Sequence, residues 1–199
     1  MGDGSIPWGS LFGLLFMTMG PVRAMSVFSR IEERDEDANK RALATRSVGL
    51  VAIAFAVALM LGDQMLARWG VGIPSLIMAA GIVLTVLSLH AMIGSQATAP
   101  HVLNAEKIRA ADLAFPGLFP PIAVALPIIF SAAVPGTGNK LLIFGLGMVV
   151  LAINWLAMRY AKTIIGAIGP TPLQLLGAVF GVLQTALGIE FILDAYRML

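Results

Sequence analysis

Trp8 to Phe28 reads WGSLFGLLFMTMGPVRAMSVF, a run with a single charged side chain, Arg23, and a Gly20-Pro21 pair near its middle. An apolar run of this length is what crosses about 30 Å of hydrocarbon. Proline inside a helix removes a backbone donor and crowds the carbonyl one turn earlier, and a glycine just before it adds backbone freedom. The stretch therefore predicts a half-helix, a break and a second half-helix. The residues ahead of it carry Asp3 in place of a basic region, and no small-x-small cleavage site follows. The run is expected to be retained as a first membrane segment, not removed as a signal peptide.

Five further runs of similar character follow, at Ser47 to Leu66, Ile73 to Ile93, Phe115 to Val134, Lys140 to Met158 and Leu173 to Leu193. The 199-residue chain is 58% hydrophobic and only 12% charged, with a mean hydropathy of +0.90. Soluble domains are usually about a quarter charged, so much of this surface is expected to face lipid. Backbone groups have no partners in lipid, which leaves helices as the spanning elements. No period-two alternation competes with that reading. The expected fold is an all-α polytopic membrane protein of six transmembrane helices, forming a single domain over 1–199.

The longest connection, 94–114, is read as a cytoplasmic linker between repeat 1 (8–93) and repeat 2 (115–197). It contains KIRAAD (107–112), expected to form a short interfacial helix. The charge run RIEERDEDANKR (30–41) is expected to be a cytoplasmic helix or a helix extension. Three crossings in each half make the second half enter the membrane from the opposite side, so related halves would form an inverted 3+3 repeat. Helices 1 and 4 are the expected discontinuous pair. In PGLFPPIAVALPIIFSAAVPG (116–136), Pro127 is the proline deep enough to break the span, while Pro116, Pro120, Pro121 and Pro135 can start or end it. With the N-terminus outside, nine Lys and Arg residues fall inside and three (Arg68, Lys140 and Arg197) outside. That asymmetry predicts both termini on the periplasmic side of a bacterial inner membrane.

The chain has no cysteine and two histidines, His90 and His101, too few for an all-protein zinc site. It has no P-loop, nucleophile elbow or paired-carboxylate cluster. Neither a metal, a cofactor nor an enzymatic activity is expected, and the net charge of +2 reflects cytoplasmic loops, not nucleic-acid binding. Arg23 lies seven residues before Arg30, about 10 Å deeper by helical rise. It is expected to face the bundle interior or a watery cavity, or to snorkel to the surface. In the first two settings its guanidinium beside a half-helix would attract a carboxylate or other anion. Thr18, Thr85, Ser88, Asn154 and Thr185 are further intramembrane polar groups, read singly as structural. The candidate substrate-binding set is Gly20, Pro21, Arg23, Ser26, Pro127, Ser131 and Gln184.

The order of motifs resembles the MarC family of bacterial integral membrane proteins, related to the LysE-type exporters. The likeness runs through LFMTMGPVRAMSVF (15–28), KRALATR (40–46), GVGIPSLIMAAGIVL (70–84), PPIAVALPIIFSAA (120–133) and GIEFILDAYRML (188–199). Departures from the family pattern are Gly20 for asparagine, Arg23 for glycine, Ser26 for proline, Ser131-Ala132-Ala133 for Gly-Pro-Gly, and Glu190 for glutamine. The resemblance implies six membrane helices, an inverted repeat and export of small molecules, neutral amino acids foremost. The expectation is a secondary transporter with a midplane site between segments one and four. Its partners would be a small-molecule substrate and the bilayer, with a coupling proton or cation and a homo-oligomer left open. The alternatives are a passive channel or facilitator, or a non-transporting scaffold.

Overall fold

The computed structural model describes residues 8–21, 24–25, 37–97, 109–134 and 136–199, and these form helices joined by short turns, with no strand among the described residues. The helices bounded among the described residues are α1 (Trp8–Thr18), α2 (Asp37–Trp69), α3 (Ile73–Ala97), α4 (Ala110–Asp112), α5 (Pro121–Ala133), α6 (Thr137–Arg159), α7 (Ala161–Ile168) and α8 (Pro170–Arg197), and Pro21, Ala24 and Met25 are also helical. Leu113–Leu118 continues from α4 across a kink at Phe115. The late part of the charge run is an extension of α2, which begins at Asp37, ten residues before Ser47. Of KIRAAD, Ala110 to Asp112 are helical and Arg109 is extended, while Lys107 and Ile108 lie outside the described residues. The sequence did not single out α7; Gly169, at φ 83°, followed by Pro170 separates it from α8, the usual chemistry of a helix stop and restart.

Among the described residues four helices are long and apolar enough to cross a membrane, over Arg41–Trp69, Ile73–His90, Thr137–Arg159 and Leu175–Arg197. They correspond to the second, third, fifth and sixth apolar runs. Large side chains stand outward on them, among them Ile53, Met60, Leu141 and Leu175. An outer surface of this kind on long helices is suited to hydrocarbon. The first and fourth runs give shorter pieces. As described, the 11 residues of α1 rise about 16 Å and the 13 of α5 about 20 Å, each less than the thickness of the hydrocarbon.

The expected break at Pro127 is not there. Helix α5 runs from Pro121 to Ala133 with Pro127 in its interior, and flanking Leu126 is fully buried. One missing donor is tolerated there because α5 packs against α2, α3 and α6, and dense packing holds the helix across a single lost bond. The chain leaves the helix earlier, at Phe119 (φ −122°, ψ 79°) and Pro120 (φ −66°, ψ 159°). Each of these precedes a proline, and the ring of the next residue pushes its predecessor out of the α region. Phe115, before Pro116, is extended for the same reason (φ −124°, ψ 128°). Pro121 then starts α5 at a position where a helix needs no donor.

Two antiparallel pairs of long helices frame the short ones. In the more extensive, α3 with α8, Gly81 and Gly188 meet so closely that a Cβ on Gly81 would lie 2.6 Å from the Gly188 carbonyl oxygen. One to two turns further along, Ser88 and Thr185 share a 2.8 Å hydroxyl hydrogen bond, and Gly181 meets Met92. In the other pair, Phe55 of α2 lies over Gly147 and beside Phe144 of α6. Asp63 and Lys140 bridge this pair at 2.8 Å near one end, and the Trp155 Nε1–H donates to Thr45 Oγ1 at 3.1 Å near the other. The pairings α1·α6, α2·α5, α1·α8, α3·α5 and α1·α5 place the short helices between these frames.

Lipid supplies little drive for helix association, so close approach at small residues carries the α3–α8 pair. Gly188→Leu is expected to destabilise the purified protein by about 1–3 kcal/mol through overpacking. Gly177, on the same helix with open space beside it, should accept leucine without loss. Thermal unfolding in detergent compares the two.

Candidate functional site

Helix α1 stops inside the bundle. Thr18 is its last residue, Met19 and Gly20 leave the helical ladder, and all three are buried. The stop has the same cause as the one at Phe119, since Gly20 precedes Pro21. A Cβ at 20 would collide with the Phe16 carbonyl oxygen, so a larger residue would require the backbone of this turn to shift.

A helix end leaves carbonyls without intrahelical donors. The Leu15 carbonyl accepts from the Met19 N–H at 2.9 Å, and Thr18 Oγ1 turns back to Leu14 O at 2.8 Å and Leu15 O at 3.3 Å. The next carbonyls are served from other helices. Gln184 Nε2 of α8 donates to Met17 O at 2.5 Å, and Asn154 Nδ2 of α6 donates to Met19 O. Two side-chain amides from the second half of the chain thus cap the short helix of the first half. Asn154 is fully buried, and its Oδ1 has no hydrogen-bond partner. An unpaired buried acceptor costs about 1–3 kcal/mol.

The other interruption has apolar surroundings. The Phe119 N–H reaches Ala114 O at 2.9 Å and the Ala123 N–H reaches Pro120 O at 2.8 Å, so local backbone serves it. The Phe119 ring packs on Phe115 at 5.4 Å and on Phe55 of α2 at 6.3 Å. Each interruption is therefore met by a long helix of the opposite half: Met19 by Asn154, Phe119 by Phe55.

A crevice of about 100 Å³ lies between α1, α3, α5 and α8, lined by Leu14, Ile77, Leu126, Phe130, Phe191 and Asp194 among others. Asp194 is its one charged group and is held by Arg197 at 2.9 Å. The space suits a few waters or a small solute and is well below the usual volume of a drug-sized site.

Of the residues expected to bind substrate, Gly20, Pro21 and Gln184 come together at the end of α1. Arg23 and Ser26 lie outside the described residues. Pro127 is buried within α5, and Ser131, also buried, points to α2, with its Oγ 3.5 Å from Leu59 O. Asn154 was legible as a buried-segment amide, and its role follows from a carbonyl 135 residues away. Phe119 and Pro120 were signalled by the tandem prolines. Among the described residues no group of three or more His, Cys, Asp or Glu side chains can hold a metal.

The profile of the MarC family integral membrane proteins matches residues 8–199. Among curated relatives, a UPF0056 membrane protein of Methanocaldococcus jannaschii is 24% identical over 193 residues, covering 94% of each chain. One from Archaeoglobus fulgidus is 23% identical, over 92% of this chain and 89% of its own. The UPF0056 membrane protein YhcE of Escherichia coli is 25% identical, over 92% and 88%. No solved structure matches the chain.

Asn154→Ala strips the donor from the Met19 carbonyl and opens a small cavity. It is expected to cost about 1–3 kcal/mol in thermal or denaturant unfolding. Gln184→Met, at a half-buried position, should cost less.

Proposed function

Because the chain belongs to the MarC family of integral membrane proteins, we propose that it is a secondary transporter that exports a small solute, an amino acid or small carboxylate, by alternating access. The observation that carries the reading is the pair of short helices, α1 and α5, ending among four longer ones. Exchanging the first three apolar segments for the last three turns α1·α6 into α2·α5 and α1·α8 into α3·α5, and all four pairings occur. The pairs α2·α6, α3·α8 and α1·α5 map onto themselves, while α5·α6 has no comparably extensive α1·α2 counterpart among the described residues. This pattern supports an inverted repeat with discontinuous first and fourth segments, an architecture typical of secondary transporters.

In this reading the solute lies beside the Gly20-Pro21 end of α1. Gln184, with Ser26, supplies neutral hydrogen bonds, and the guanidinium of Arg23 takes a carboxylate or other anion. The crevice between α1, α3, α5 and α8 is the solute's way out. The start of α3 and the ends of α5 and α8 share one face of the bundle, the periplasmic face of a bacterial inner membrane with the N-terminus outside. Rocking one half against the other would close this crevice and open the opposite side.

Proteoliposome flux tests the reading. Screened against amino acids and small organic anions, the wild type is expected to show saturable uptake of at least one class. Arg23→Ala should lower that flux about tenfold or more, the loss of one charge-assisted contact; undiminished flux would remove Arg23 from the mechanism. Preloading the trans side should stimulate uptake, whereas a channel through the same interruptions would show no counterflow.

A further inference from the structure

Helices α2 and α6 run antiparallel, and the end of this pair opposite the Asp63–Lys140 bridge is basic. There the Trp155 Nε1–H donates to Thr45 Oγ1 at 3.1 Å, and the Thr45 hydroxyl donates in turn to the Arg41 carbonyl at 2.9 Å. The Arg159 guanidinium lies over the Trp155 ring, 5.3 Å from its centroid. Residues one turn apart share a helix face. Arg41 therefore follows Thr45, and Arg159 follows Trp155, toward water on the two walls of one groove. Both arginines are exposed. Stacking engages the flat face of a guanidinium, not the N–H edge that matches a phosphate.

Toward the middle of the span the same groove turns apolar. One turn from Thr45 stands Gly49 and one turn from Trp155 stands Ala152, both exposed. A Cβ built on Gly49 would meet nothing within 4 Å, so the channel between the two helices is open at this level. Cationic groups at the mouth, an indole at headgroup depth and a shallow apolar channel below follow the order of a phospholipid from phosphate to acyl chain. Asp37 lies one turn farther toward water on α2, and the two arginines outweigh it. Cations on neighbouring helices repel, and a phosphate between them would turn repulsion into a bridge.

We propose that this groove between α2 and α6 binds one anionic phospholipid, its phosphate held by Arg159 and Arg41 and an acyl chain lying along Gly49 and Ala152. Basic sites between membrane helices on the cytoplasmic side are a recurrent form of lipid recognition, and an N-terminus outside puts this end there. The charge selects against a zwitterionic lipid, which brings its own cation. The channel selects against a soluble anion, which has no chain to fill it. The site goes beyond the transport reading and requires only the bilayer, so its occupancy is measured without flux.

The test uses Trp155 as the reporter. Trp8→Phe/Trp69→Phe leaves it as the one tryptophan of the full-length chain. The purified protein in detergent is titrated with phosphatidylglycerol or phosphatidylcholine carrying brominated acyl chains, which quench a tryptophan they touch. Phosphatidylglycerol is expected to quench at a midpoint about tenfold lower, the worth of a charge-assisted contact. Arg159→Gln and Arg41→Gln should each shrink that preference several-fold, and together abolish it. Arg68→Gln, an exposed arginine at the other end of α2, should leave it unchanged. Circular dichroism checks the fold of each variant, and if Arg159→Gln does not fold, Arg41→Gln decides. Equal midpoints for the two lipids, or a preference that survives in the folded variants, overturn the site. A loss in Arg68→Gln as large as in Arg159→Gln would mean diffuse surface charge and overturn it too. Inorganic phosphate at constant ionic strength should not relieve the quenching; if it does, the occupant is a soluble anion and the lipid assignment fails.

Discussion

A helix that ends in apolar surroundings leaves carbonyls that lipid cannot satisfy, and the organisation of this protein follows from that constraint. The Gly20-Pro21 pair ends α1 at Thr18, inside the bundle. The exposed Met17 and Met19 carbonyls then require donors, and these come from Gln184 and Asn154 on helices of the other half. The stop is thus also a tether between halves. The second interruption, at Phe119 and Pro120, meets the same demand with local backbone and an aromatic cluster. One end is polar and the other apolar, so two similar devices offer different chemistry.

The four long helices make such interruptions affordable. Glycines let α3 and α8 approach until backbone meets backbone at Gly81 and Gly188. Phe55 settles over Gly147 to hold α2 on α6, and the Asp63–Lys140 bridge joins that pair near one end. The same framework carries α5 through Pro127, where a single lost hydrogen bond is outweighed by burial of Leu126 and its neighbours. The paired long helices thus enclose the two short ones.

Much of this was legible beforehand. Hydropathy located the four crossing helices to within a few residues at most ends, and the stop at Gly20 was read from its proline. Gln184 was singled out for its place in the sixth run, and it does reach α1. The error at Pro127 is instructive because the correct signal was present: Pro120-Pro121 and Phe115-Pro116 each contain a residue forced out of the helix by the proline after it. Ser131 was grouped with the site by its segment, but its hydroxyl points to Leu59.

Apolar run length and proline position are local properties, set against the thickness of a bilayer and the sterics of one peptide unit. By themselves they determined that this is a helical membrane protein whose first apolar run is interrupted at Gly20-Pro21. Which carbonyls would be capped, and by which amides, depended on helices 135 and 167 residues away in sequence. No local pattern encodes that pairing, because it is decided by which helix faces meet. Only the tertiary structure decided that Asn154, an unremarkable polar residue in an apolar run, stands at the end of α1 with one oxygen unclaimed.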